Sequence, residues 1–434
     1  MKKKAATKTV VILGAGLAGL SAAYHLKRGY RLVEKEPRPG GLVRTDARDG
    51  FLFDRTGHWL HLRDPRTKRL VADLLPGMRT HERHAAIYSK GVYTAYPFQA
   101  NLFGLPPEVV AECLAGYINA FFNPPQNKGK TFRRWILDTF GPGIANHFLL
   151  PYNTKIWTLP PEKMSSGYAE RYIPVPKVGE IVRGSLGLSQ EALGYNATFL
   201  YPESGGIESL PKAIASRLAT PPECGRRPLA IDWKTRSVSF DDGTETPYST
   251  LISSLPLPDL VALFADPPVA VARAGKRLRA TTVTYFNIAA RAHGPRRHSW
   301  VYYPEPAFPF YRIGSYSTCA PQTAPAGTAS FYVEYSHLDP VDADALRERA
   351  LDDMVRTGLI PSRDDVLFVE MRRIHPAYVL YDRAFDPAMC VILPFLARAR
   401  VSLVGRYGKW EYAAMEDALL DGIDAAGRAR RAGP

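Results

Sequence analysis

The sequence predicts an α/β fold, in which a Rossmann-type domain carries an inserted helical domain and a mixed or antiparallel sheet forms a further substrate domain. Three observations predict it. A buried-strand pattern near the N-terminus runs straight into a glycine-rich turn. A helical stretch with proline-rich joints follows. Alternating strand patterns then fill the second half of the chain.

The elements read in order as follows. Thr9 to Leu13 (TVVIL) is a short β-branched and aliphatic run, the pattern of a buried parallel strand. Gly14-Ala15-Gly16-Leu17-Ala18-Gly19 follows at once, then a helical pattern from Leu20 to Leu26 and a second apolar pair, Leu32-Val33, leading into Glu34. Helical patterns cover Pro107 to Asn119 and Thr131 to Leu150, with joints at Pro124-Pro125 and Pro160-Pro161. A helix opens at Gly205-Gly206-Ile207 and runs to Leu218. Pro228 to Ile252 alternates around a hairpin turn at Asp241-Asp242-Gly243. Thr281 to Ala290 and Ser330 to Tyr335 read as strands of a second sheet, and Asp339-Pro340 to Thr357 as a helix with a capping carboxylate.

Each glycine of the first turn has a physical task. Gly14 permits a tight turn, Gly16 lets a pyrophosphate approach the backbone, and Gly19 lets helix and strand pack closely. Leu17 and Ala18 open the helix, whose N-terminus presents unpaired N–H groups and partial positive charge to phosphates. Glu34, with Lys35 beside it, stands where an acid accepts from ribose hydroxyls. A glycine turn alone is weak; strand, turn, helix, strand and acid together read as a dinucleotide site.

The 434 residues carry a net charge of +14, which suits an anionic ligand. The arginines are dispersed and no nucleic-acid module is evident, so a nucleic-acid partner is not expected. No apolar run is long enough to span a membrane. The initial Met1-Lys2-Lys3-Lys4 reads as a solvated tail rather than a signal peptide. Cys113, Cys224, Cys319 and Cys390 are scattered without zinc or disulfide spacing, which fits a reducing, cytoplasmic setting and no metal.

The segment Arg38-Pro39-Gly40-Gly41-Leu42-Val43-Arg44-Thr45, with Gly50 to Gly57 after it, resembles the second motif of the amine oxidase and glutathione reductase-like flavoproteins. Gly405-Arg406-Tyr407-Gly408, then Tyr412 and Met415-Glu416-Asp417, is similar to their C-terminal flavin contact. The resemblance implies FAD, held by Gly14, Gly16, Leu17, Ala18, Gly19, Glu34, Lys35, Gly41, Leu42, Arg44, Gly57, His58, Gly405, Arg406, Tyr412, Met415, Glu416 and Asp417. Motifs at both chain ends imply a discontinuous FAD-binding domain of residues 1–60, 195–265 and 385–434. Residues 61–194 then form a largely helical substrate or lid domain, and 266–384 a mixed-sheet substrate domain.

A narrower resemblance runs along nearly the whole chain. Asp54-Arg55-Thr56-Gly57-His58 is similar to the Gly-Gly-His stretch of UDP-galactopyranose mutases, with Thr56 in place of the first glycine. Tyr96-Pro97-Phe98-Gln99-Ala100-Asn101 resembles a Pro-Phe-Gln-x-Asn segment of the eukaryotic branch. Asn153 to Met164, Glu170-Arg171, Tyr195 to Phe199, Trp300-Val301-Tyr302, Pro309 to Arg312, Ser315-Tyr316 and Gly405 to Asp417 follow in family order. The resemblance implies a non-redox pyranose–furanose mutase acting on a nucleoside diphosphate sugar, UDP-galactopyranose or a relative. Nucleophilic N5 of reduced FAD does the chemistry, and the flavin is reduced by NAD(P)H or another donor. Arg171 and Arg312 match the two pyrophosphate arginines, and His58 the histidine beside flavin N5. Tyr302, Tyr316, Tyr412 and one or both of Tyr378 and Tyr381 would add hydroxyls. Tyr96, Gln99 and Asn101 match the base-binding segment; Trp157 and Asn196 complete the substrate set. The stretch from Val175 to Gly187 is a candidate closing loop, and a homodimer is compatible with the chain.

Taken singly, an arginine is as a rule a solvated charge and a tyrosine or tryptophan a packing residue. Motif order is what raises them. Two other readings stand beside the mutase: an FAD-dependent oxidase or desaturase of the amine oxidase or protoporphyrinogen oxidase type, and a catalytically silent flavin-binding protein. An arginine pair with Tyr96 and Gln99 separates the first, since an apolar or amine substrate has no need of a diphosphate clamp.

Overall fold

Strand Thr9–Leu13 is the centre about which the chain is organised, because four of its five residues, Val10 to Leu13, are buried. A computed structural model describes residues 9–126, 131–167, 173–188, 198–292 and 298–432. The strand pairs in parallel with Tyr30–Glu34 on one side and with the second half of Glu245–Ser253 on the other. Val401–Leu403 pairs in parallel with that same second half, while the first half of Glu245–Ser253 runs antiparallel to Ser237–Phe240. Pro228–Asp232 and Glu223–Cys224 complete the first sheet. Its members come from three separated stretches of chain, Thr9–Glu34, Glu223–Ser253 and Val401–Leu403.

Helix Leu17–Leu26 packs on this sheet, and helix Met415–Ala432 packs on that helix. Small residues permit the contact. A Cβ added at Gly422 would lie 2.6 Å from both Ala18 O and Ala22 N. Ser21 Oγ donates to Leu419 O at 2.7 Å, so the two ends of the chain are joined by a buried hydrogen bond.

The second sheet has the order Val366–Ile374, Thr282–Arg291, Thr328–His337, Arg312–Ser315, Trp300–Tyr302, Ala85–Ser89, Val92–Ala95. Its neighbours are antiparallel except for Trp300–Tyr302 against Ala85–Ser89. The two strands between Ala85 and Ala95 lie in the segment expected to be a helical domain. They are the edge of the second sheet, so residues 61–194 do not form a purely separate lobe. Met78–Glu82 in the same segment pairs with Thr198–Pro202.

The helical part holds Pro107–Phe122, Phe132–Ile144, Leu150–Trp157 and Val178–Ser185. The expected helix from Thr131 to Leu150 is interrupted: Gly141 has φ +70°, Pro142 follows, and Ala145–Leu149 forms a π turn. Val178–Ser185 is a helix within the expected closing loop, opened by Glu180, whose carboxylate accepts from Lys177 N. Asp342 caps helix Ala343–Arg356 by accepting from Asp344 N and Ala345 N, so the capping carboxylate is Asp342 and the helix starts after Pro340. Among the described residues no helix is long and apolar enough to cross a membrane.

The packing of the two end helices is testable apart from any ligand. Gly422→Ala should lower stability by about 1–3 kcal/mol, because its methyl meets fixed backbone. Gly427→Ala, whose added carbon meets nothing nearer than an arginine side chain at 3.7 Å, should be neutral or slightly stabilising. Denaturant titration of the two variants is the check; equal effects would contradict the packing described.

Candidate functional site

The first sheet, the second sheet and the helical part meet at a cavity of about 900 Å³. Two glycine turns shape one end. Gly14 has φ +94°, and a Cβ there would fall 2.3 Å from Ser254 Oγ. Gly16 faces the second turn so closely that a Cβ on Gly41 (φ +59°) would lie 3.1 Å from Gly16 Cα. The two turns are in contact, joined by the hydrogen bond from Gly40 N to Ala15 O at 2.9 Å, and Gly41 is the one whose side chain would intrude. Gly19 does not line the cavity. It lies beneath, where an added Cβ would be 1.9 Å from Gly14 O, the close helix–strand packing expected of it.

Glu34 lines this end with its carboxylate already oriented. One oxygen accepts from Ala15 N at 2.8 Å and the other from Glu36 N at 3.0 Å. Lys35, Leu42 and Arg44 line the wall beside it. The Arg44 guanidinium is buried and turns back on its own loop, donating to the Arg38 and Pro39 carbonyls, so it braces the second turn.

The late segment forms a further wall, with Gly405 against Ala18. Gly405, Arg406, Tyr412, Met415, Glu416 and Asp417 all line the cavity. Two carboxylates there serve the fold rather than stand free. Glu416 Oε1 accepts from Arg63 N, Asp64 N and Thr67 Oγ1, and Asp417 accepts from Ala414 N. What faces the cavity is the N-terminus of helix Met415–Ala432, a second source of positive dipole beside that of helix Leu17–Leu26.

Midway along, Thr56, Gly57 and His58 form the wall. A Cβ on Gly57 would fall 2.3 Å from Tyr332 Oη and 3.0 Å from Trp59 Nε1, so only glycine fits. His58 Nδ1 is buried with no partner among the described residues, as is Arg406 Nε. Burial, then the nearby Arg406 charge, depress the His58 pKa to about 4, so the imidazole is neutral near pH 7. A glycine-framed pair of turns and two helix N-termini on one cavity fit a flavin dinucleotide.

Beyond His58 the wall becomes aromatic and cationic. Arg312 stands directly opposite Glu334 in the register of the second sheet. Its Nε and Nη2 both donate to that carboxylate, the latter at 2.9 Å. Burial works against the Arg312 charge, and Glu334 more than offsets it, so the guanidinium stays charged. Nη1 takes no partner among the described residues. Tyr378 and Tyr412 stack at 6.2 Å, with Arg406 over both rings at 5.2 and 4.7 Å. Trp157 meets both rings edge-on, its Nε1 donating to Asn153 Oδ1 at 3.0 Å. Tyr302 lies between Tyr96, at 5.1 Å, and Tyr152, at 5.4 Å.

The remaining expected residues divide three ways. Tyr96 and Gln99 reach the cavity, with Gln99 Nε2 donating to Pro174 O at 2.8 Å. Tyr316, Tyr381 and Asn101 do not line it. Tyr316 is fully buried and donates to Asp54 O; Tyr381 Oη accepts from Tyr412 N and so positions that tyrosine; Asn101 Nδ2 donates to Pro97 O within its own turn. Arg171 and Asn196 lie outside the described residues. Sequence reasoning missed Glu334, Tyr152, Asn153 and Arg83, the last held over Tyr96 at 4.1 Å and Trp300 at 5.2 Å. Glu334 carried a signal, as the one charged residue in the run Ala329 to Tyr335.

The family described as flavin containing amine oxidoreductase matches residues 17–430. In fold the chain is similar to a reduced UDP-galactopyranose mutase, with a TM-score of 0.92 at 24% identity, covering 98% of this chain and 94% of that one. It is also similar to putrescine oxidase bound to putrescine, with a TM-score of 0.69 at 14% identity over 98% and 99% of the two chains. A coproporphyrinogen III oxidase of Bacillus subtilis is 34% identical over 76 residues, 15% of this chain and 16% of that protein. The chain thus aligns with under one fifth of this curated relative's length.

The depressed His58 pKa has a measurable sign. The unfolded chain takes up the His58 proton near pH 6.5 and the folded one near 4, so folding loses stability as pH falls through that window. Relative to His58→Asn, the wild-type protein should lose on the order of 3 kcal/mol between pH 7 and pH 4. Parallel urea titrations of the two proteins across that range would refute the assignment if their difference stayed constant.

Proposed function

The chain belongs to the flavin containing amine oxidoreductase family, and we propose that within it the protein is a non-redox pyranose–furanose mutase of a nucleoside diphosphate sugar, UDP-galactopyranose or a close relative. One observation carries the reading: the half of the cavity beyond His58 is lined by Arg312 locked onto Glu334, by Arg406 and by Tyr302, Tyr378 and Tyr412. An amine or an apolar ring has no use for buried guanidinium groups ringed by tyrosines. A diphosphate has.

FAD would be held by the two glycine turns, Glu34, the N-termini of helices Leu17–Leu26 and Met415–Ala432, and the Gly57–His58 wall. In its reduced state, reached through NAD(P)H or another donor, it supplies the nucleophile for the anomeric carbon. The protein's share is electrostatic. Arg312, its fork oriented by Glu334, takes the diphosphate and keeps it close as it departs and returns. Tyr302, Tyr378 and Tyr412 offer hydroxyls to the same oxygens, and the packed rings of Trp157 and Tyr152 exclude water from them. Tyr96 offers a flat face to a base and Gln99 its amide oxygen, the amide nitrogen being committed to Pro174. Neutral His58 can exchange hydrogen bonds without adding charge beside the cofactor.

The family itself favours a second reading, an FAD-dependent oxidase or desaturase. The two are separated by incubating dithionite-reduced protein with UDP-, dTDP- and GDP-sugars and resolving the isomers by chromatography. Furanose product with no oxygen consumed supports the mutase. Oxygen consumed in proportion to an amine or porphyrinogen substrate, with every nucleotide sugar unchanged, overturns it. Arg312→Lys should retain the flavin spectrum and lower kcat/KM about 10- to 100-fold, since one ammonium cannot serve Glu334 and a diphosphate together. Undiminished turnover in that variant would remove Arg312 from the clamp.

A further inference from the structure

Thr56 stands on the cavity wall in a conformation that its side chain disfavours. Its φ is +64°, in the left-handed region, where a β-branched residue is an outlier that persists only when the surroundings fix it. The surroundings do fix it. On one side Asp54 is anchored: its carboxylate accepts from Tyr201 Oη at 2.8 Å and from Ile207 N at 3.3 Å, and its carbonyl accepts from Tyr316 Oη at 2.7 Å. Arg55 N donates to Arg44 O at 3.2 Å, tying the same turn to the second glycine motif. On the other side Gly57 is pressed against Tyr332 Oη and Trp59 Nε1.

A glycine would relieve this backbone. Thr56 is only 8% exposed, yet it lines the cavity and its hydroxyl has no hydrogen-bond partner among the described residues. Thr56 shares this stretch of wall with His58 and Arg406. The stretch shares the cavity wall with the glycine turns and with Arg312, and the Arg406 and Arg312 charges both act on His58 beside it, so a dinucleotide held at the glycine turns has this wall available to its ring end.

We propose that Thr56 is a further flavin-contacting residue, its hydroxyl donating to the polar edge of the isoalloxazine ring, and that its strained backbone is kept to hold that hydroxyl in place. The proposal rests on the flavin reading alone, and not on the mutase. A donor at that edge favours the reduced ring, which carries the greater electron density there.

Three variants test it in the purified, FAD-reconstituted protein: Thr56→Ser, Thr56→Ala and Thr56→Gly. The readouts are the FAD dissociation constant by fluorescence quenching, the two-electron reduction potential, and the melting temperature of the flavin-free protein. Thr56→Ser should match wild type. Thr56→Ala should weaken FAD binding several-fold and lower the preference for the reduced over the oxidised ring about tenfold, a potential about 30 mV more negative. Thr56→Gly should show the same loss while raising the flavin-free melting temperature, because the strain is gone. If Thr56→Ala and Thr56→Gly keep the wild-type potential and FAD affinity, the threonine is merely structural and the proposal is overturned. Wild-type protein that takes up no FAD would instead sink the flavin reading beneath it, which the reconstitution itself reveals.

Discussion

The arrangement depends on one steric constraint, the face-to-face approach of two backbones at Gly16 and Gly41. The backbones come close because neither residue carries a side chain. This contact, closed by the hydrogen bond from Gly40 N to Ala15 O at 2.9 Å, lies at the C-terminal ends of the parallel strands Thr9–Leu13 and Tyr30–Glu34, where a helix N-terminus also points. Everything that braces the contact comes from elsewhere in the chain: Ser254 beneath Gly14, Arg44 folded back on its own loop, and Gly405 over Ala18, where an added Cβ would lie 3.0 Å away. A side chain at Gly41 would press into the Gly16 backbone and, with φ at +59°, strain its own.

Electrostatics divide the cavity into two regimes. Near the glycine turns, backbone dipoles add to the charges of Lys35 and of Arg44, the latter turned back on its own loop, and the carboxylates of Glu34, Glu416 and Asp417 are spent on N–H groups of the fold. Past His58 the positive character is that of Arg312 and Arg406. Arg312 is made tolerable in a buried setting by Glu334, whereas Arg406 lies against the faces of Tyr378 and Tyr412. His58, between the two regimes, gives up its own charge rather than add a third. The result is a wall with an unspent guanidinium edge and little mobile charge of its own, a setting prepared for an anion that arrives with its own counter-charge demand.

Much of this was legible in local patterns. The glycine turn, Glu34, the late Gly405–Asp417 segment and the hairpin at Asp241 to Gly243 all depend on residues close in sequence. What could not be read depends on register across distant strands. Glu334 is Arg312's partner because two antiparallel strands place them opposite each other, and no spacing along the chain encodes that. The same holds for Ala85–Ser89, which leaves the helical segment to pair in parallel with Trp300–Tyr302 more than two hundred residues later. Tyr316, Tyr381 and Asn101 enter the expected substrate set through motif resemblance; hydroxyl and amide groups serve a fold equally well, and here they hold Asp54, Tyr412 and Pro97. Glu416 does both, lining the cavity while its carboxylate accepts from Arg63 N and Asp64 N.

The hydrogen bond from Ser21 to Leu419 spans 398 residues. The helix that follows the glycine turn is therefore covered by material synthesised that much later. At about 5–20 residues per second, the first βαβ unit waits roughly 20–80 s for strand Val401–Leu403 and helix Met415–Ala432 to arrive. For that interval the face of Leu17–Leu26 that packs on Met415–Ala432 is without its cover, so the nascent chain carries an apolar surface that the folded one does not.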